Sequence, residues 1–169
     1  VGAGLKLKSQ IDFEFLGISE DEARELERKI EREFSLWADS TACDIERLDN
    51  FCELQQLAFL NWLMSGDVLV TLPTTKRPGM PYDLRIRLIE ADRLSNPMGN
   101  TDPHIIGGVE VNDAGEVVAY HISTHHPLSW QYSETKWTRV EAYGAKTGRR
   151  NVLHIMNRER IGQRRGAPF

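Results

Sequence analysis

The sequence predicts an α+β fold, two N-terminal helices followed by a small antiparallel β-sheet or barrel. Three observations carry this. Two stretches ahead of Gly66 repeat their apolar residues at helical spacing. Beyond Gly66 the apolar period falls to that of strands. There, short apolar runs alternate with turn residues, as in successive hairpins. At 169 residues, 40% hydrophobic and 27% charged, the chain has the size and composition of about one soluble domain. We read it as one domain over 1–169: an N-terminal extension (1–17), a helical part (18–65), a β part (66–157) and a connecting segment (158–169). No apolar run approaches the ~20 residues of a membrane span.

The first helix opens at Ser19-Glu20-Asp21-Glu22, a capping box in which Ser19 and Glu22 satisfy each other's backbone amides. Ala23, Leu26, Ile30, Phe34 and Trp37 follow as one apolar stripe, and the other faces are charged. Asn50 and Glu53 frame a second capping box. The helix from there to Met64 is apolar on most faces, which calls for burial in a core or an assembly. Phe51, Leu54, Leu57 and Trp62 are its candidate core or subunit-interface residues, and Leu57→Asp is expected to unfold the domain. Gly66 suits a left-handed C-cap.

Val68–Leu72 then reads as a short strand, and 76–81 (KRPGMP) as a turn. Leu84, Ile86 and Leu88 alternate with Arg85 and Arg87, predicting a half-exposed strand. Val109–Asn112, the Asp113-Ala114-Gly115 turn and Val117–Ile122 form the clearest hairpin. Ser123–Trp137 is polar and aromatic, hence a long loop. Arg139–Ala142 and Asn151–Met156 are expected to close the sheet or barrel.

Charge is unevenly distributed. From Lys146 onward there are seven basic residues and one acidic, against 14 and 24 before it. Arg149, Arg150, Arg158, Arg160, Arg164 and Arg165 are the candidate contacts to DNA or to another subunit; a solvated tail is the plain alternative. Trp130 and Trp137 suit base stacking or ordinary packing. His121, His125 and His126, with Asp92 or Asp102, are the best metal candidates. Strand neighbours face opposite ways, however, and no metal-binding motif surrounds them. No nucleophile elbow, phosphate loop or dinucleotide fingerprint occurs. The expectation is no catalytic residue, no metal and no cofactor. Cys43 and Cys52 are too few for a disulfide scaffold, and their pairing stays open.

Several strings, in order, resemble the lambda-like portal proteins of tailed bacteriophages: 17–27 (GISEDEARELE), 53–59 (ELQQLAF) running to 65–70 (SGDVLV), 88–97 (LIEADRLSNP), 107–111 (GGVEV), 118–122 (VAYHI), 152–155 (VLHI) and 158–168 (RERIGQRRGAP). No string is a chemical signature; their order carries the resemblance, and Leu128–Thr147 matches least. The resemblance implies a wing-type portion of a portal, with two helices leading to an SH3-like barrel and the stem following. It implies a structural, non-enzymatic protein of the virion, made in the host cytoplasm. In a dodecameric ring at the head vertex it would pass double-stranded DNA during packaging and ejection. Its partners would be other portal subunits, terminase, capsid and head-completion proteins, with no membrane. The isolated portion is expected to be a monomer or weak oligomer. Two rival readings are a stand-alone nucleic-acid-binding module built on the basic segment and, more remotely, a metal-dependent hydrolase.

Overall fold

A computed structural model describes residues 4–130 and 134–168, in two compact units: 1–56 with 74–85, and 57–73 with 86–169. Val1, Gly2, Ala3 and Phe169 lie outside the described residues, as do Gln131, Tyr132 and Ser133 of the expected 123–137 loop.

The first unit is helical. Asp12 caps a single turn, α1 (Phe13–Leu16), which Gly17 ends at φ 67°. Helix α2 (Glu20–Ala38) begins at the expected Ser19–Glu22 capping box. Its stripe is only partly covered: Ala23 and Trp37 are buried, while Leu26 and Ile30 stay about two-fifths exposed, at 41% and 38%. Acids on α2 also secure the extended segment before α1, where Glu31 and Glu27 accept the N–H groups of Ser9 and Ile11. After a 3-10 turn at Thr41–Cys43, the Asp44 carboxylate accepts the N–H groups of Glu46, Leu48 and Asp49. The Arg77 guanidinium donates to the carbonyls of Ala42, Asp44 and Ile45. These bonds pair backbone that has no ladder of its own. Arg77-Pro78-Gly79-Met80 makes the expected turn, with Gly79 at φ 78° and Met80 N–H on the Arg77 carbonyl.

Helix α3 (Phe51–Ser65) starts at an Asn50–Glu53 capping box. The Phe51 ring packs with Phe34 and Trp37 at centroid distances of 5.6–5.7 Å. Leu54 is buried, yet Leu57, Phe59, Leu60 and Met64 are exposed, Leu57 at 42% and Met64 at 78%. Leu54, rather than Leu57, is therefore the position where a charge would break the core.

The second unit holds two antiparallel sheets. The first has order β2-β1-β7, from β1 (Asp67–Thr71), β2 (Arg87–Glu90) and β7 (Val152–Met156). The second has order β3-β4-β5-β6, from β3 (Ile105–Ile106), β4 (Val109–Val111), β5 (Val117–Ser123) and β6 (Trp137–Glu141). Leu69, Ile89, Val152, Leu94, Val109, Tyr120, Ile122 and Ala142 form the core between them.

This corrects the expected architecture. Three helices and two separate sheets replace two helices and one sheet, and no closed barrel exists among the described residues. The two expected closing strands end up in different sheets: β6 pairs with β5, and β7 with β1. One reason lies in 95–104. Pro97 and Pro103 have no N–H to donate, Gly99 turns at φ 75°, and an isolated bridge just before this stretch joins Leu94 to Ile122. The ladder between the sheets is broken there. The expected alternation fails at its first pair, where Arg85 is buried and Leu84 exposed, and holds at Ile86, buried, and Arg87, exposed. Arg85 donates to the carbonyls of Tyr82 and Leu84, and Trp37 Nε1 also donates to that of Leu84.

Candidate functional site

The second unit is organised around a buried carboxylate. Asp67, 1% exposed, is the first residue of β1, and the antiparallel register sets it opposite Met156 with His154 opposite Leu69. Successive strand residues alternate between faces, so Asp67, His154 and Met156 share the face turned to the second sheet. His154 Nε2 lies 3.0 Å from Asp67 Oδ2 and donates to it. Its ring meets Tyr120 edge-on at 5.7 Å.

The segment after β7 returns to this point. Gln163 shapes it: its Oε1 accepts the N–H groups of Glu159 and Arg160, and its Nε2 donates to the carbonyls of Asn157 and Arg165. Arg165 then spends its whole guanidinium within the unit. Nε and one terminal nitrogen hold Asp67 Oδ2 and Oδ1 at 2.6 and 3.3 Å. The same terminal nitrogen reaches the Ala91 carbonyl at 2.7 Å. The other donates to the carbonyls of Leu94 and Gly107, at 2.6 and 3.0 Å. Burial pushes the Asp67 carboxyl up, but the His154 and Arg165 hydrogen bonds, the arginine charge and the Gly166 N–H outweigh it and hold the group at about 2. The closure leaves no room beside it: a Cβ on Gly66 would stand 2.3 Å from the Ala167 backbone, and one on Gly166 would stand 1.9 Å from the Gly66 carbonyl oxygen.

Next to this closure lies a cleft of about 140 Å³ lined by Val109, Val117, Tyr120, Arg150, His154, Met156, Arg158, Gln163 and Arg164. Arg164 is fixed by donating to the Gly115 carbonyl at 2.8 Å, and Arg150 lies over the Tyr143 ring at 5.2 Å. Arg150 and Arg158 are exposed, and neither pairs with a carboxylate among the described residues. The chemistry on offer is capture of an anion by guanidinium groups against an apolar floor.

The six candidate arginines thus divide. Arg150, Arg158 and Arg164 converge on the cleft, Arg165 clamps Asp67, and Arg149 and Arg160 stand exposed away from the cleft lining. The three histidines do not converge. His121 meets Glu110 at 2.7 Å and His126 meets Asp92 at 3.2 Å. Among the described residues no three His, Cys, Asp or Glu side chains are grouped to hold a metal ion. Glu110 belongs to an ion-pair patch on the outer face of the second sheet. Hydrogen bonds from Arg139 hold its carboxyl at about 2 against partial burial, with His121 adding to the effect, and Arg139 also pairs with Glu141. Cys43 and Cys52 form no disulfide, and burial pushes the Cys43 thiol up to about 11.

Sequence reasoning missed Asp67 and His154. The signal was there: a lone acid opening an otherwise apolar run, and a lone histidine in another, are polar groups that a buried sheet must pair.

A family model described as "Phage portal protein, lambda family" matches residues 1–169. The chain is 26% identical over 170 residues to portal protein B of Escherichia phage lambda, covering 99% of this chain and 31% of that protein. It is 25% identical over 171 residues to the portal protein of Escherichia phage N15, covering 99% of this chain and 32% of that protein. The chain spans about a third of the length of these relatives.

Proposed function

The chain belongs to the lambda family of phage portal proteins, and on that premise we propose that it is a structural part of a portal ring at the head vertex. Double-stranded DNA enters the head through that ring during packaging and leaves through it at infection. The observation that carries the reading is the family match running the full length of the chain. In this proposal residues 1–169 form a wing-type portion, and the protein performs no catalysis. Its partners are other portal subunits in a dodecamer, terminase, capsid and head-completion proteins. It resides in the virion and assembles in the host cytoplasm. Two features of the chain support a role in assembly. The exposed Leu57, Phe59, Leu60 and Met64 of α3 are apolar surface of the kind that marks a protein interface. The arginine-lined cleft is a second such surface, charged rather than apolar. No helix among the described residues is long and apolar enough to cross a membrane.

The test is to express the protein from its complete reading frame and image it by electron microscopy, and to delete that frame from its phage. Ring-shaped particles, and heads that assemble empty of DNA in the deletion, are the expected results. Heads that fill normally without the gene would refute the proposal.

A further inference from the structure

We infer that the Arg150–Arg158–Arg164 cleft is the seat of two carboxylates, Asp21 and Glu25, carried by helix α2 of a second copy of this chain. The inference rests on the ring reading and assigns part of the contact that would build it.

The cleft supplies the cations. His154 is already committed to Asp67, and Arg164 is oriented by Gly115, while the exposed Arg150 and Arg158 have no carboxylate partner among the described residues. Among the described residues no acid lines the cleft. Its volume, about 140 Å³, holds a carboxylate or two with a few waters at ~30 Å³ each. Duplex DNA is a poor occupant. It presents a convex surface with a phosphate every ~1.7 Å of axis, which calls for a row of cations along a face rather than one recessed seat.

Helix α2 supplies the anions. Most of its acids are occupied within their own unit: Glu20 with Arg24, Glu22 in the capping box, Glu27 and Glu31 on backbone N–H groups, and Glu33 with Tyr82. Asp21 and Glu25 remain exposed and without an ion pair among the described residues. They are four apart on the helix, so they project side by side from one face, where like charges repel until a cation joins them. The units differ in charge in the same sense. The first carries 10 basic and 15 acidic residues, the second 11 and 10. Arginine forks aimed at paired carboxylates make charge-assisted, bidentate bonds. The two surfaces are different patches of one chain, so the contact is head-to-tail. A pair of copies in such a contact keeps one patch of each kind unfilled, and contacts of this type propagate into a ring when the rotation closes.

The experiment uses the protein from its complete reading frame and two charge-reversed variants, Asp21→Arg/Glu25→Arg and Arg150→Glu/Arg158→Glu. All are surface changes, with circular-dichroism melting as the check on folding; the milder Arg158→Gln replaces any variant that fails it. Sedimentation velocity reads self-association across a salt series. Each variant alone is expected to weaken association about tenfold or more, as loss of close interfacial charge pairs does. Mixing the two is expected to restore it, because each then meets a complementary patch. A mixture that stays dissociated overturns the assignment. So does an Arg150→Glu/Arg158→Glu protein that associates like the parent but no longer binds a duplex oligonucleotide, which would give the cleft to phosphate. Rings that form equally well from that variant remove the cleft contact and leave the portal reading standing. A parent that associates through this contact, by the mixing criterion, but never forms rings supports the contact and removes the portal reading.

Discussion

Replacing Arg165 with leucine tests how the second unit is closed. The substitution keeps much of the aliphatic stem and removes the whole guanidinium. Asp67, 1% exposed, is then left with His154 and the Gly166 N–H, and the carbonyls of Ala91, Leu94 and Gly107 each lose a donor. Breaking a buried ion pair from one side costs about 3–5 kcal/mol, because the remaining charge is stranded. The Arg165 side chain is 30% exposed, so water reaches the vacated side and the loss sits at the low end, about 3 kcal/mol. For a protein of this size each kcal/mol moves Tm by ~2–4 °C, so a fall of about 6–12 °C follows. Differential scanning calorimetry of the parent, Arg165→Leu, Asp67→Asn and the double variant makes a complete cycle. The double variant is expected to be much less destabilised than the sum of the singles, since removing both partners leaves no stranded charge. An Arg165→Leu protein melting within about 2 °C of the parent, or strictly additive losses, would refute the clamp.

Acid should act on the same group. The Asp67 carboxyl is held at about 2, below its unfolded value of 3.8, so its stabilising contribution is complete above pH ~4 and lost as pH falls towards 2. That contribution is about 2 kcal/mol, and Asp67→Asn should flatten the pH dependence of Tm in this window; an unchanged slope would count against it. Gly66→Ala is expected to lower Tm by several degrees, because its Cβ meets the Ala167 backbone and its φ of 83° is strained for alanine; a neutral result would mean the closing segment yields freely. Leu54→Asp should unfold the chain in circular dichroism, whereas Leu57→Asp should leave melting nearly unchanged and weaken assembly, and the reverse order would place the wrong face of α3 inward. Iodoacetamide should alkylate Cys43 slowly in the folded state, since the thiol is buried and pushed to about 11, and rapid labelling would contradict that burial.

Helices α2 and α3 were legible in the sequence because their signals are local, whereas the single turn α1 was not. Ser19 with Glu22, and Asn50 with Glu53, are capping pairs three residues apart that need nothing distant. The strands at 67–71, 109–111, 117–123 and 152–156 were legible for the same reason. Their partnership was not. Whether β6 and β7 close one sheet or enter two depends on pairings across tens of residues, and a proline-broken stretch at 95–104 decides it without appearing in any apolar pattern. Leu57 shows the limit of a helix with apolar residues on most faces: periodicity cannot say which face is covered. The arginines were visible as a charge imbalance. That one of them would reach back 98 residues to Asp67 was not, because an ion pair so distant in sequence leaves no local trace.

The five-donor grip of Arg165 has a mechanical consequence. A pull along the chain beyond β7 would ordinarily peel that edge strand from β1 one hydrogen bond at a time, the weak direction for any sheet. Here the pull meets Arg165 first. Its fork passes the load into the central strand through Asp67, and into Ala91, Leu94 and the Gly107 turn through three carbonyls, so several bonds must break together. The segment after β7 is therefore anchored to resist traction, and β7 stays shielded until that anchor gives way.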